Sequence, residues 1–244
     1  MKERSYRGPD SHAVRTMFAG IAHRYDFLNH VLSASVDRGW RRAAVNKVRE
    51  LTGGMSSSAV CLDLCCGTGD LALELHRQLK ISVVATDFCH PMLTRSVGKV
   101  SAAGLQHAVR TAEADALSLP FRNQAFDAIT IAFGLRNLED PSRGLAEMRR
   151  VLKPGGGLVI LEFSKPVTPV VRRVFGFYFR RILPRIGAAI SGNGQAYQYL
   201  PDSVQQFPDQ MELVGLMNSA GFQNVGYENL THGIAALHWG VNAG

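Results

Sequence analysis

Val60-Cys61-Leu62-Asp63-Leu64-Cys65-Cys66-Gly67-Thr68-Gly69-Asp70 runs from a short apolar stretch through two glycines into the leucine spacing of Leu71, Leu73, Leu75 and Leu79. The order is strand, glycine turn, helix, which brings backbone close to a ligand and points a helix N-terminus at it. Glycine suits such a turn because a Cβ would block the ligand or forbid the backbone conformation. A dinucleotide fingerprint needs a third glycine at position 72, where Ala72 stands. Asp63, just ahead of the glycines, would repel a pyrophosphate and suits a ligand carrying an ammonium or sulfonium.

Twenty residues beyond Gly67, Val83-Val84-Ala85-Thr86-Asp87 is a second apolar strand ending in an acid. A carboxylate in that place accepts both hydroxyls of a ribose. An adenosine with a positively charged, phosphate-free tail describes S-adenosylmethionine.

Strands and helices alternate onward from Val60. Pro91 opens a helix reaching Ala103, Ala108 to Ala114 is a third strand, and Phe126 to Phe133 a fourth. Pro141 opens a helix to Leu152, Lys153-Pro154-Gly155-Gly156-Gly157 stops it, and Leu158 to Phe163 is a fifth strand. The repetition argues a parallel, doubly wound α/β sheet. A helical insertion, about 166–207, precedes a helix over Met211 to Ala220. Two closing strands, about Val225 to Leu230 and Ile234 to Trp239, then suggest an antiparallel element at one sheet edge.

Upstream, Phe18, Ile21, Ala22, Tyr25 and Leu28 have helical spacing, and Asp37 is placed to cap a helix through Trp40 and Val48. This divides the chain into a helical extension, 1–58, and a cofactor-binding domain, 59–244. The extension either covers the ligand end of the sheet or packs on its flank. At 244 residues one large domain with additions is expected. No apolar run approaches the ~20 residues of a membrane span, and the N-terminus lacks the apolar core of a secretory signal. Cys61, Cys65, Cys66 and Cys89 have no paired spacing and fit a reducing cytosol as small buried residues.

The net charge of +7 is local. No acid lies between Glu162 and Asp202, whereas Lys165, Arg172, Arg173, Arg180, Arg181 and Arg185 do, and the rest of the chain holds 21 basic and 20 acidic residues. This is one basic segment, not a nucleic-acid footprint. Over Val170 to Leu183 it is interleaved with Val170, Val174, Phe175, Phe177, Tyr178 and Ile182. Such a segment either rests on anionic lipid and holds a prenyl chain, or caps the active site with solvated arginines.

The glycine turn, Asp87, Asp115 with Leu119-Pro120-Phe121, and Leu152-Lys153-Pro154-Gly155-Gly156 resemble the class I S-adenosylmethionine-dependent methyltransferases, a Rossmann-like fold with a seven-stranded, mostly parallel sheet. Tyr25-Asp26-Phe27-Leu28-Asn29 with Ser33 and Trp40, Phe133-Gly134-Leu135-Arg136-Asn137, and Arg150-Val151-Leu152-Lys153-Pro154-Gly155-Gly156 running to Leu161-Glu162-Phe163-Ser164-Lys165-Pro166 narrow it. So do Leu183-Pro184-Arg185-Ile186-Gly187, Tyr197 with Tyr199-Leu200, and Pro208-Asp209-Gln210. Together these resemble the ubiquinone/menaquinone biosynthesis C-methyltransferase family from about Met17 to Gly240. Leu28 replaces a usual methionine, Asp37 a histidine, Ala132 a serine, and Cys65-Cys66 an Ala/Gly-Gly pair. Asp37 removes any proton-transfer role proposed for that histidine, and Ala132 removes one hydroxyl near the cofactor.

The resemblance implies methylation of a ring carbon of a polyprenyl quinol, demethylmenaquinol to menaquinol, or the benzoquinol of ubiquinone synthesis. An RNA methyltransferase and a non-catalytic cofactor-binding partner are the remoter alternatives. The expected cofactor residues are Asp63 and Gly67 at the methionine end, Asp87 at the ribose, Asp115 and Ala116 beside the adenine, together with Thr68, Gly69, Phe88 and Phe133. The expected catalytic residues are Arg136 as electrostatic stabiliser and Asn137 as orienter, with Tyr25 and Asp26 from the extension and Asp26 as candidate base. No metal set is spaced among the histidines. The implied setting is the cytoplasm, with peripheral contact at an anionic membrane, no nucleic acid, and a homodimer left open.

Overall fold

The computed structural model describes residues 6–23, 25–26, 35–54, 56–182 and 194–244. Leu28, Asn29, Ser33 and 183–187 lie outside the described residues, as do the side chains of Arg180 and Tyr197. Helices α1 (Ser11–Ile21) and α2 (Val36–Leu51) precede the sheet. Then come β1 (Val60–Leu64), α3 (Asp70–Leu79), β2 (Ser82–Asp87), α4 (His90–Ala102), β3 (Val109–Glu113) and β4 (Phe126–Ala132). A 3₁₀ turn (Leu135–Asn137) leads to α5 (Pro141–Val151) and β5 (Leu152–Phe163). The insertion holds α6 (Pro169–Phe177), a π-helical turn (Tyr178–Ile182) and α7 (Gly194–Gln206). The chain closes with α8 (Gln210–Ser219), β6 (Phe222–Leu230) and β7 (Ala235–Asn242).

The strands form one seven-stranded sheet in the order β3-β2-β1-β4-β5-β7-β6. The first five pair in parallel, and β7 runs antiparallel to both β5 and β6. Parallel neighbours need crossover helices on both faces, so the central strands bury apolar side chains on both faces rather than on one. Two clusters result. Leu62, Leu64, Ile129, Ile131, Leu158 and Ile160 face α5 and α8, while Cys61, Ala85, Val159 and Leu161 face α2 and α3.

Three local expectations shift. Asp37 does not cap α2; the N-cap is Ser35, and Asp37 is buried inside the first turn, paired with Arg41 one turn on. The glycines after Lys153 do not delay the fifth strand, which starts at Leu152 directly after α5. Leu152 pairs with Phe126 and Gly157 with Ala128, leaving Lys153 to Gly156 as a bulge whose lysine reaches Asp127 at 2.7 Å. A Cβ on Gly156 would stand 2.9 Å from the Asp127 carbonyl, so the bulge needs glycine there. The closing strands are longer than expected, by three residues at the start of β6 and three at the end of β7.

Candidate active site

The strand order reverses between β1 and β4, and a ligand crevice opens at the carboxyl ends of strands flanking such a switch. Two non-glycine residues take left-handed backbone there, Cys65 (φ 51°) after β1 and Phe133 (φ 56°) after β4. Each costs on the order of 1–2 kcal/mol, a strain found where a binding site is shaped. Their turns interlock, since a Cβ on Gly134 would stand 2.5 Å from Cys65 Cβ. Gly67 (φ 54°) and Gly69 (φ 86°) complete the turn before α3. At Gly69 a Cβ would also meet Ser96 Oγ at 2.3 Å.

Asp87 holds this end of the sheet together. Its Oδ2 accepts the Gly67 N–H and its Oδ1 the Cys89 N–H, both at 2.8 Å. One carboxylate thus ties the glycine turn to the start of α4. Burial raises its pKa, and the two backbone donors work against that rise. The Asp115 Oδ1 accepts the Leu117 N–H at 2.9 Å, fixing the turn after β3.

Between these turns lies a cavity of about 490 Å³. Gly67, Asp87, Phe88, Asp115, Ala116, Phe133, Asn137 and Tyr25 line it, as do Ser11, His12, Arg15 and Phe18 of α1. Helix α1 therefore walls the cavity, whereas α2 buries Trp40, Ala44, Val45 and Val48 against the sheet. Four carboxylates line the cavity, Asp87, Glu113, Asp115 and Glu139, and its one arginine, Arg15, is bound to Glu113 at 2.6 Å. An acidic cleft in a chain of net charge +7 fits a cationic, phosphate-free ligand and opposes a pyrophosphate.

Five expected residues lie outside that wall. Asp63 is 1% exposed beneath the glycine turn, and Thr130, its register partner on β4, donates to its Oδ1 at 2.8 Å. Burial lifts its pKa to about 7, against the Thr130 hydrogen bond and the charge of Arg41. Thr68 is turned away toward Asp26 and Lys99, and Gly69 packs on Ser96. Asp26 sits 2.6 Å from Lys99 Nζ, which also reaches Asp70 at 2.6 Å, so it is engaged in a charge cluster and not poised as a base in the cleft. Arg136 is 5% exposed and does not face the cavity. Its Nη1 donates to Glu162 Oε1 at 2.8 Å and to the Phe133 carbonyl at 2.6 Å. The electrostatic stabiliser expected over the cleft is a neutralised ion pair, because a lone buried charge would cost several kcal/mol. Its Nε–H is buried with no hydrogen-bond partner among the described residues.

The model of the ubiE/COQ5 methyltransferase family matches residues 6–242. The chain belongs to that family. It is 50% identical to the demethylmenaquinone methyltransferase of Thermus thermophilus, over 92% of this chain and 99% of that one. It is 46% identical to the ubiquinone/menaquinone biosynthesis C-methyltransferase of Geobacter sulfurreducens, over 93% of this chain and 87% of that one. Among solved structures, the [4+2]-cyclase SpnF shares the fold, with a TM-score of 0.67 at 22% identity over 95% of this chain and 80% of that one. The class I fold and S-adenosylmethionine as cofactor, both expected from the residues, hold for this member of the family.

In this ubiE/COQ5 chain, the cavity wall formed by Ser11, His12 and Arg15 carried no signal beyond helical spacing. Tyr199 was visible only as a matched position. It donates its phenol to Asn137 Oδ1 at 2.7 Å, across 62 residues of sequence. Trp40 supports the site from behind, tilted against Phe133 at 6.0 Å and hydrogen-bonded to Thr231 at 2.9 Å.

Proposed function

We propose that this protein methylates a ring carbon of a polyprenyl quinol, demethylmenaquinol first. The observation that carries the reading is the aromatic surround beside an acidic cofactor cleft. Phe18 and Tyr25 line the cleft and also pack with Ile21, Phe175, Phe179, Val204 and Phe163. A flat ring with an apolar tail is matched by such a wall, and the similarity to the Thermus thermophilus demethylmenaquinone methyltransferase supports the naphthoquinol.

S-adenosylmethionine, when bound, supplies an electrophilic methyl group. The carboxylate of Asp87 would take the ribose hydroxyls, Phe88 the ribose face, and Asp115 with Ala116 the adenine. The Gly67 turn and the buried charge of Asp63 would serve the cationic end. A quinol carbon becomes nucleophilic when a neighbouring hydroxyl gives up its proton. The quinol carbon then takes the methyl and loses its own hydrogen as a proton. Asn137, which lines the cavity, orients the ring, and Arg136, held by Glu162 and bonded to the Phe133 carbonyl, fixes the turn that carries it. Tyr25, whose Cε1 is 3.8 Å from where a Gly67 Cβ would be, covers the cofactor turn. From the helical extension, α1 and Tyr25 act as the cover over this site.

The quinol is drawn from lipid by peripheral contact with an anionic bilayer. Val170, Val174 and Phe177 are 72, 64 and 61% exposed and lie four and three residues apart, on one stripe of α6 beside exposed Arg172, Arg173 and Arg181. Among the described residues no helix is long and apolar enough to cross a membrane.

The test is turnover of labelled S-adenosylmethionine under anaerobic reduction with demethylmenaquinol, the benzoquinol analogue, or RNA. Transfer to the reduced naphthoquinol is expected, and none to its oxidised form, which is an electrophile. Equal transfer to quinone and quinol would end the anionic mechanism, and transfer to RNA alone would end the quinol reading.

A further inference from the structure

Two tyrosines reach the Phe133–Asn137 turn from distant parts of the chain. Tyr6 donates to the backbone carbonyl of Arg136 at 3.4 Å and packs edge-on against Phe207. Tyr199, on α7, donates instead to a side chain, Oδ1 of Asn137, at 2.7 Å. The Asn137 Nδ2 donates to the Phe133 carbonyl at 3.2 Å. A carboxamide carries two donor hydrogens and one acceptor oxygen. The Phe133 carbonyl can only accept, so the NH₂ end must face it, and a phenol proton at the other end agrees with that orientation. One Nδ2 hydrogen is left over, and Asn137 lines the cavity.

We propose that Tyr199 is a positioning residue for methyl transfer: by occupying Oδ1 it holds the Asn137 amide so that its remaining N–H is offered to the quinol oxygen. The inference rests on the quinol reading above. A donor fixed at that oxygen favours the ionised quinol, the form whose ring carbon attacks, and so lowers the quinol's apparent pKa in the complex. Without the phenol the amide is held at one end only and can turn, and the donor is lost for part of the time. The charged and titratable groups around Tyr199 are Arg136 on the turn, Glu162 on β5 and Tyr6 in the N-terminal segment. The variants below at position 199 leave all three in place. Tyr199 is itself pushed up to about 12 by burial, so it does not titrate in the working range.

The experiment is the pH profile of kcat for Tyr199→Phe, Tyr6→Phe and wild type with reduced demethylmenaquinol, alongside S-adenosylmethionine affinity. For Tyr199→Phe the acid limb is expected to move up by about one pH unit, with kcat about tenfold lower on that limb and recovered at high pH. Cofactor affinity stays within about twofold, as a group acting only at the quinol requires. Tyr6→Phe, which loosens the same turn through backbone alone, leaves the limb where it was. In an Asn137→Ala background, Tyr199→Phe adds no further shift. Superimposable profiles for wild type and Tyr199→Phe would overturn the proposal, as would an equal shift in Tyr6→Phe, which would make the effect one of general loosening. A wild-type protein that methylates no quinol removes the functional reading and this inference together, whereas an active wild type with an unimpaired Tyr199→Phe removes this inference alone.

Discussion

Asp63→Asn should stabilise the protein, and by more as the pH rises. The carboxylate is buried in the middle of the sheet, Thr130 bonds only Oδ1, and Oδ2 has no partner among the described residues. Its folded pKa, about 7, stands above the ordinary 3.8 chiefly through burial. The folded state therefore keeps a proton that the unfolded chain gives up above pH 4, and stability is lost as the pH climbs from there to 7. Integrating between those two pKa values gives a cost of about 1.5 kcal/mol at pH 5 and about 4 kcal/mol at pH 8. Asparagine has the shape of the protonated acid, still accepts from Thr130, and escapes that cost. At 2–4 °C per kcal/mol for a chain of this size, the gain at pH 8 is roughly 8–16 °C in Tm. Urea unfolding of both proteins at pH 5, 6, 7 and 8 gives the difference directly. A gap that is constant across that range, or a mutant less stable at pH 8, would mean that the ionised carboxylate is satisfied in the fold. The same substitution should weaken S-adenosylmethionine binding in calorimetry, because a buried charge that costs stability is useful here only to a cationic ligand above it.

Asp87→Ala frees two backbone donors and removes the proposed ribose contact, and should weaken S-adenosylmethionine binding by about 1.5–3 kcal/mol, read by calorimetry; unchanged affinity would remove Asp87 from the cofactor site. Glu162→Gln strands Arg136 as a buried, unpaired cation and should cost about 3–5 kcal/mol in urea unfolding, whereas the double variant Arg136→Met with Glu162→Leu should refold the core and remain inactive. Activity in that double variant would take the ion pair out of catalysis. Val170, Val174 and Phe177 changed together to serine should lower co-sedimentation with anionic liposomes at low salt, with activity on a short-tailed soluble quinol kept; wild-type sedimentation would leave α6 as a lid only.

What could be read from the sequence, and what could not, follows the range of each constraint. The glycine turn, Asp87 and the βα alternation are local: each depends on neighbours within a few positions, so residue type and spacing are enough. Partners that meet through the sheet are not local. Arg136 finds Glu162 because β4 and β5 pair with Ala132 beside Leu161, which sets the acid at the end of β5 next to the turn after β4. No spacing along the chain encodes that meeting, and none encodes Lys99 with Asp26 or Tyr199 with Asn137. An isolated arginine after a strand accordingly reads as a free cation until the strand order is known.

Asp63 is a different case, because a rule available from the sequence alone would have placed it. A central strand of a parallel sheet is covered on both faces, so its alternation of side chains offers no solvent side. Asp63 was assigned to the ligand although the apolar run Val60 to Leu64 already set it one residue inside the strand. The strand does end at Leu64, and the turn that meets the ligand begins at Cys65. That single position moves the acid from the cavity wall to the layer beneath it. Glu162, one residue before the end of β5, obeys the same rule and is likewise 1% exposed. Asp87 escapes it because β2 ends on it, and its carboxylate turns into the crevice to take the backbone of the next turn. An acid one residue inside a central strand acts on a ligand through its field and through what it holds in place, and an acid at the last residue can touch it.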